Sequence, residues 1–451
     1  MSVPTLVIGA AQSGAGKTTA TMALIAGLRG RGLKVQPFKV GPDYLDPQLL
    51  TWVAGRPCRN LDSWMLPAAQ LIELFDRACR GADVAVVEGV MGLFDGKSGS
   101  GDEASTASIA RLLDAPVLLV LDAARASRTV GAVALGLSRA DKRLKVAGAL
   151  LNRVASERHR DTCLEGLDAL GVPCLGHLFR REELVLPDRY LGLVSPGEAE
   201  PRPGLRRALE HAAAYLELDA LLQAARIPAR PTVHQELFPA DPIATRARIA
   251  IAIDRAFHFY YRDSLDLLEA WGAELVSFSP LENDRLPADV GGVYLGGGYP
   301  ELFAAELAAN RTLIADLRRA NRQGVLVYAE CGGAMYAARS IEDAEGRRHS
   351  MAGLWPVAVS LKRRRLTVGY RQVRSCAPSF LAGRELPAHE FHYSQLRRDG
   401  GSAHPAWLVL DEGGRPEGYA TPRMAASYIH LHLGSRSGLA RSFVDACGPA
   451  S

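Results

Sequence analysis

The sequence predicts an α/β protein of two domains, each built on a largely parallel sheet covered by helices. Three observations carry that expectation. From residue 1 to about 220, short apolar runs alternate with amphipathic stretches, the pattern of doubly buried strands and their covering helices. A proline-punctuated stretch follows, and a strand pattern then starts afresh. Each half also contains a strand that runs through a glycine-flanked turn into a helix, at 5–28 and at 324–336.

At 451 residues the chain exceeds one ordinary core. We read 1–226 as the first domain and 248–451 as the second. Between them 227–247, with Pro228, Pro231, Pro239 and Pro242, reads as a linker. Composition is that of a soluble globular protein, 48% hydrophobic and 23% charged. Seven cysteines without a Cys-x-x-Cys argue against a disulfide framework and for a reducing cytoplasm. The first apolar run is short and lacks a basic flank, so no signal peptide is expected. No stretch approaches the roughly 20 apolar residues of a membrane span. Lys+Arg 53 against Asp+Glu 49 gives no global case for nucleic acid.

The run 3–8 reads as a strand, and Met22, Ile25 and Leu28 sit at helical spacing. Between them Gln12, Ser13, Gly14, Ala15, Gly16, Lys17, Thr18 and Thr19 form a phosphate loop in its proper strand–turn–helix context. Its backbone N–H groups and the helix dipole cradle polyphosphate, Lys17 reaches the outer phosphates, and the Thr18 hydroxyl ligates magnesium. The usual first glycine of the pattern falls on Ala11.

Further strands are expected at 35–40, 84–87, 117–121 and 146–151, and helices at 68–78 and 105–113. Ligands of such sheets bind at the carboxyl ends of strands, so the polar residues there matter most. After 35–40 come Asp43, Tyr44, Leu45 and Asp46, in a stiff, non-helical loop bracketed by Gly41-Pro42 and Pro47. After 84–87 come Glu88 and, further on, Asp95. A carboxylate directly after a strand often completes a phosphate-loop site by holding magnesium. Asp46 and Asp95, beside Pro and Gly, read alternatively as turn formers. Asn152 reads either as a contact to an adenine edge or as a turn or cap residue. Residues 172–207 are expected to be loop-rich, with Pro173, Pro187, Pro196, Pro201 and Pro203. Among these, Arg180, Arg181, Arg189, Arg202, Arg206 and Arg207 offer forks for carboxylate or phosphate, or a solvated surface.

In the second half, 248–254 alternates as a strand, 265–271 reads as helix and 273–278 as strand. The run 290–295 leads into Gly296, Gly297 and Gly298, and 324–328 leads into Glu330-Cys331-Gly332-Gly333. The latter is a nucleophile elbow, which exposes a thiol at a helix N-terminus and lowers its pKa; a buried structural cysteine is the alternative. The base that such a thiol needs has two candidates, His430 and His432, expected on one face of an alternating strand. His389 and His392 are three apart and beside Pro387, unlike the helical zinc spacing, and read as structural histidines. The basic run at 362–365 reads as a solvated turn.

With both halves in view, the motifs AQSGAGKTT, PFKVGPDYLDP, RNLDSWM, VVEGVMGLFDG, LLNRV, YLGGGYPE, YAECGGAMY, HEFHYS and SYIHLHLGS occur in order over nearly the whole chain. In them the chain resembles the cobyrinic acid or hydrogenobyrinic acid a,c-diamide synthases of corrinoid biosynthesis. The resemblance implies a P-loop NTPase domain folded like dethiobiotin synthetase, then a class I glutamine amidotransferase domain of the cobyric acid synthase type. It implies ATP- and Mg2+-dependent amidation of the a and c carboxylates of a tetrapyrrole (corrinoid) polycarboxylate through an acyl phosphate, with glutamine as nitrogen donor.

By resemblance Thr18, Asp43 and Glu88 lie at the metal and phosphate end. Tyr44, Leu45, Asp46 and Asp95 handle substrate and intermediate, and Asn152 reads adenine. Cys331 attacks glutamine with His430 as base, preferred over His432, and Gly297 and Gly298 are candidates for the oxyanion-hole N–H groups. In ordinary class I domains a glutamate two places after the histidine orients it. His432 takes that place, so an acidic third member is expected to be missing. The nearest rivals are a cobyric acid synthase and a nickel-tetrapyrrole a,c-diamide synthase. From a different class comes a partitioning-type nucleotide switch, which has no use for Cys331 and His430. No nucleic-acid or membrane partner is expected; a homodimer is compatible with this reading.

Overall fold

The structure is a computed structural model that describes residues 3–186, 202–228, 236–362, 365–376, 378, 380–397 and 404–448. Pro187, Arg189, Pro196, Pro201, Pro231, Arg363 and Arg364 lie outside the described residues. The chain forms two compact units, Met1–His234 and Gln235–Ser451. Among the described residues no helix is long and apolar enough to cross a membrane.

The first unit contains strands β1 (Thr5–Ala10), β2 (Val35–Val40), β3 (Arg59–Leu61), β4 (Val84–Glu88), β5 (Val117–Asp122), β6 (Val146–Val154) and β7 (Cys174–Phe179). They lie in the order β3-β2-β4-β1-β5-β6-β7, and every pairing is parallel. All residues of β1, β2 and β4 are buried, so their sequences run mostly apolar instead of alternating, with Gln36 and Lys39 in β2 and Glu88 at the end of β4 as buried polar exceptions. Because β1 sits between β4 and β5, the loop after it opens at the crevice where open α/β sheets bind ligands. That loop leads into helix α1 (Lys17–Gly30), which packs so closely on helix Leu205–Ala213 that a Cβ at Gly27 would lie 2.9 Å from Ala213 Cβ.

Two expectations here need correction. Asp46 and Pro47 are not in a non-helical loop: they open helix α2 (Asp46–Ala54). Proline is tolerated in a first helical turn, and Asp43 Oδ1 accepts from the N–H groups of Leu45 (2.8 Å) and Asp46 (3.2 Å), capping the turn. The stretch 172–207 also holds more regular structure than its prolines suggested, with β7 and the start of helix Leu205–Ala213. As an edge strand with register shifts against β6, β7 does not carry the continuous apolar signature of its neighbours.

In the second unit, six strands lie in the order Ala273–Phe278, Ala247–Ala252, Gly292–Leu295, Leu326–Glu330, Met424–Ser427 and Tyr419–Thr421. The first five run parallel and the last is antiparallel. An antiparallel sheet includes Thr367–Ser375, Glu385–His392 and Ile429–His430. The chain thus leaves the parallel sheet at Ser427 and enters the antiparallel one at Ile429, beside the end of Leu326–Glu330. Part of the expected linker belongs to this unit's core: Leu237 and Phe238 are buried, and Trp271 Nε1 donates to the Leu237 carbonyl.

Candidate active sites

The phosphate loop curls through Gly14 (φ 76°) and Gly16 (φ 90°), left-handed conformations that glycine takes freely. Ala11 is not among the residues of positive φ, so the missing first glycine leaves no strain. Asn152, inside β6, donates from Nδ2 to the Ala15 carbonyl at 2.9 Å. A Cβ on Gly16 would lie 2.0 Å from that nitrogen, so strand end and loop are closely fitted. Lys17 donates to the carbonyls of Met91 and Gln12, and the Thr18 hydroxyl donates to Glu88 Oε1 at 2.8 Å. A cleft of about 460 Å³ is lined by Ser13, Gly14 and Gly16 to Thr19, together with Lys39, Asp43, Asp46, Glu88 and Asn152. Arg153, Arg180 and Arg181 line it too. Two of the six arginines noted in sequence therefore face this cleft. Of the others, Arg206 lies over the Trp52 ring at 4.4 Å and Arg202 donates to loop carbonyls.

Lys39 is the residue that sequence reading passed over. Its Nζ lies 2.7 Å from Asp46 Oδ2, 2.7 Å from Glu88 Oε1 and 4.0 Å from Asp43 Oδ2, with the side chain 4% exposed. The available signal was a lysine inside an apolar run that ends at the site. Burial opposes its charge, but the three carboxylates outweigh that and raise its pKa. Burial pushes Glu88 up to about 7, with Lys39 and the Thr18 hydroxyl working in the other direction.

The residues fit a magnesium ion. Glu88 Oε2 is buried without a hydrogen-bond partner, the three carboxylates of Asp43, Asp46 and Glu88 gather around Lys39, and the Thr18 hydroxyl stands on Glu88. Among the described residues, no group of three or more His, Cys, Asp or Glu forms a metal cage. A magnesium ion arriving with nucleotide needs only one or two protein ligands, because phosphates and water supply the rest.

Asp95 follows the turn reading: its Oδ2 accepts from the Gly92 N–H at 2.9 Å, and a Cβ at Gly92 would meet that oxygen at 2.4 Å. Asp95, Tyr44 and Leu45 are not among the residues lining the cleft.

In the second unit Cys331 has φ 48° and ψ −105°, a strained conformation for a side-chain-bearing residue. It is held by hydrogen bonds from its N–H to the Ser427 carbonyl (2.7 Å) and from the Met335 N–H to its carbonyl (2.9 Å). Its Sγ lies 3.5 Å from the Phe391 carbonyl oxygen. Glycines crowd around it. A Cβ at Gly333 would meet Leu295 O at 2.1 Å, one at Gly332 the Gly298 nitrogen at 2.8 Å, and one at Gly297 the His430 ring at 2.9 Å.

His430 is 2% exposed and hydrogen-bonded to the Cys331 side chain. Burial by itself would lower its pKa. The electrostatic interaction and hydrogen bond with Cys331, together with Glu330, outweigh that effect and push it up to about 10. A carboxylate does lie beside this ring: Glu330 Oε2 is 3.6 Å from His430 Nδ1.

His432 does not share the face of His430, because the strand Ile429–His430 ends before it. Its ring lies 4.9 Å from that of Tyr261, its Nδ1 accepts from the Gly434 N–H at 3.0 Å, and burial holds its pKa near about 3. His389 and His392 lie on one strand, where a spacing of three puts them on opposite faces. His389 pairs in register with His430, while His392 stacks on Tyr428 at 3.9 Å.

Comparison with known proteins joins these two sites. Residues 6–191 match the family described as the CobQ/CobB/MinD/ParA nucleotide binding domain, and 248–438 match the CobB/CobQ-like glutamine amidotransferase domain. The chain is 44% identical over 465 residues to the cobyrinate a,c-diamide synthase of Syntrophotalea carbinolica, and 42% identical over 458 to that of a Synechococcus species. Each alignment covers 99% of both chains. It is 38% identical over 482 residues to the hydrogenobyrinate a,c-diamide synthase of Streptomyces coelicolor, covering 99% of this chain and 98% of that one. With a P-loop nucleotide-binding domain followed by a glutamine amidotransferase domain, and identity of this degree along both, the chain belongs to the cobyrinate/hydrogenobyrinate a,c-diamide synthase family.

Proposed function

We propose that this chain is an ATP-dependent carbon–nitrogen ligase of cobalamin biosynthesis. It converts the a and c side-chain carboxylates of cobyrinic or hydrogenobyrinic acid into amides, using glutamine. The observation that carries the reading is end-to-end identity to enzymes of both names, in a chain that holds a phosphate-loop cleft and a Cys331–His430 pair.

A carboxylate is a poor acyl donor. Its oxygen attacks the γ-phosphorus of ATP, ADP leaves, and an acyl phosphate results. Ammonia then attacks the acyl carbon, phosphate leaves and a proton is released. Lys17 and the loop N–H groups stabilise charge on the transferring phosphoryl group. Thr18, Glu88 and Asp43 would hold the magnesium ion, which when bound neutralises charge on the nucleotide phosphates. Asn152 spends its amide nitrogen on the loop and keeps its carbonyl oxygen for an adenine amino group. Tyr44, Leu45 and Asp46 are assigned to the corrinoid carboxylate, and Asp95 to shaping the turn beside it.

In the second unit the Cys331 thiolate attacks the glutamine side-chain carbonyl. His430 gives a proton to the departing ammonia and takes one from the water that hydrolyses the thioester. Gly297 and Gly298 supply backbone N–H groups to the oxyanion.

We assign carboxylate activation to 1–226, glutamine hydrolysis to 248–451 and their connection to 227–247. We place the enzyme in the cytoplasm, without nucleic-acid or membrane partners; a homodimer is compatible with this reading. The seven cysteines, all free thiols, support a reducing compartment.

The test is mass spectrometry after incubation with ATP, magnesium, glutamine and either cobalt or metal-free cobyrinate. Two new amides at the a and c positions are expected. Amidation at other side chains would favour the cobyric acid synthase reading. ATP-driven dimerisation with the corrinoid unchanged would favour a nucleotide switch.

A further inference from the structure

We infer that Glu330, the residue immediately before the nucleophile, is the positioning carboxylate of His430 and completes a Cys331–His430–Glu330 relay. The inference rests on the glutamine-hydrolysis reading above and deepens it.

The place where class I domains carry their orienting acid is filled here by His432, whose ring faces Tyr261 instead of His430. Glu330 reaches the same imidazole from the other side of the elbow. It is the last residue of the parallel strand Leu326–Glu330, aligned with Ser427, and the chain turns from Ser427 directly to His430. Oε2 of Glu330 is 3.6 Å from His430 Nδ1, an ion-pair distance of the kind that tightens when substrate binds.

The carboxylate is itself held rigidly. Tyr328 Oη and the Leu431 N–H donate to Oε1 at 2.6 and 3.1 Å, and Tyr294 Oη donates to Oε2 at 3.0 Å. Burial and the charge of Glu330 keep both phenols well above their ordinary range, so they remain neutral donors. The oxygen directed at the histidine is Oε2, which accepts from Tyr294, whereas Oε1 accepts from both Tyr328 and Leu431. Leu431, next to His430, donates to the same carboxylate, so backbone and ring are set by one group.

The groups facing His430 are Cys331, Glu330 and His389, with Arg371 and Glu390 beyond His389. Burial and the neighbouring His430 and Arg371 keep His389 down to about 3, so it is neutral. Glu330 is the carboxylate that stands beside the ring among these groups. It favours the imidazolium that forms when Cys331 ionises, and it fixes which ring nitrogen faces sulfur.

The test is Glu330→Gln, which preserves shape and, through its one carbonyl oxygen, can still accept from Tyr328 and Leu431, but lacks the charge and turns an NH₂ toward Tyr294 and His430. Steady-state glutaminase activity should fall by about 10²-fold or more in kcat, with KM little changed. The alkaline limb of its pH profile should move to lower pH, because the ring gives up its proton more readily. Glu330→Asp should recover part of both. Amidation supported by ammonium salts serves as the fold control. A purely structural Glu330 would leave the alkaline limb where it is in wild type, and that result overturns the inference. If the Gln variant does not fold, the wild-type chain labelled with ¹⁵N-histidine decides. A downfield, exchange-protected Nδ1 proton on His430 is expected, and a solvent-exchanging one overturns the inference. A wild-type enzyme without glutaminase activity would instead sink the underlying reading of the site.

Discussion

The ammonium of Lys39 lies 2.7 Å from Oε1 of Glu88, with the side chains 4% and 0% exposed. Neither charge is solvated, so each depends on the other and on Asp46. Lys39→Met should lower the unfolding free energy by about 3–5 kcal/mol, the usual consequence of stranding one member of a buried pair. Pairing it with Glu88→Gln should recover part of that loss. Urea denaturation of the four proteins of the cycle measures both effects; additive losses would show that the two groups are independent.

Gly14 and Gly16 both have positive φ, yet they should not be equally sensitive. Gly14 has open space around it, whereas a Cβ on Gly16 strikes the amide of Asn152. Gly14→Ala should weaken nucleotide binding only by the strain of a left-handed alanine, about 1–2 kcal/mol. Gly16→Ala should displace Asn152 from Ala15 and lower affinity by at least ten times more. Titration calorimetry with a non-hydrolysable ATP analogue separates the two, and equal losses would count against the clamp.

The two histidines near the C-terminus should part company on mutation. Cys331→Ala and His430→Gln should each abolish glutamine-dependent amidation while leaving amidation with ammonium salts. His432→Gln should retain glutaminase turnover, with its loss appearing in thermal stability. If His432→Gln removed glutaminase activity in a fully folded protein, the assignment of the base would be reversed.

His430 also makes stability depend on pH. Its folded pKa, about 10, stands above the ordinary 6.5, so the folded state holds this proton more tightly than the unfolded chain. The stabilisation is fully present below about 6.5 and is lost as pH rises through about 10. Unfolding free energies in urea should fall across that range. Cys331→Ala, which removes the partner that opposes burial most strongly, should flatten the decline. An unchanged slope would mean that the pair does not share its proton in this way.

Much of the first unit was legible because doubly buried strands leave mostly apolar runs. Val35–Val40 matches its expected bounds end for end, even with Gln36 and Lys39 inside it. The edge strand Cys174–Phe179 was not, since its outer side meets, among the described residues, only a short bridge at Leu216 and its neighbourhood is rich in proline and arginine. The phosphate loop, Glu88 and Cys331 stood out through short-range context. Lys39 and Glu330 did not, because their importance lies in partners brought together by the sheet: Glu88, 49 positions from Lys39, and His430, 100 positions from Glu330. His432 was misread for a related reason. Alternation assumes a continuing strand, and this one stops after two residues.

The backbone angles at Cys331 are ones that glycine adopts with least strain. On the proposed role of Cys331 as nucleophile, selection for ammonia release and selection for a durable fold pull against each other at this one codon. A gene copy relieved of the need to hydrolyse glutamine would gain stability by trading its nucleophile for glycine. Degenerate descendants of this enzyme should then be recognisable by a quiet, better-folded elbow where the thiol used to be.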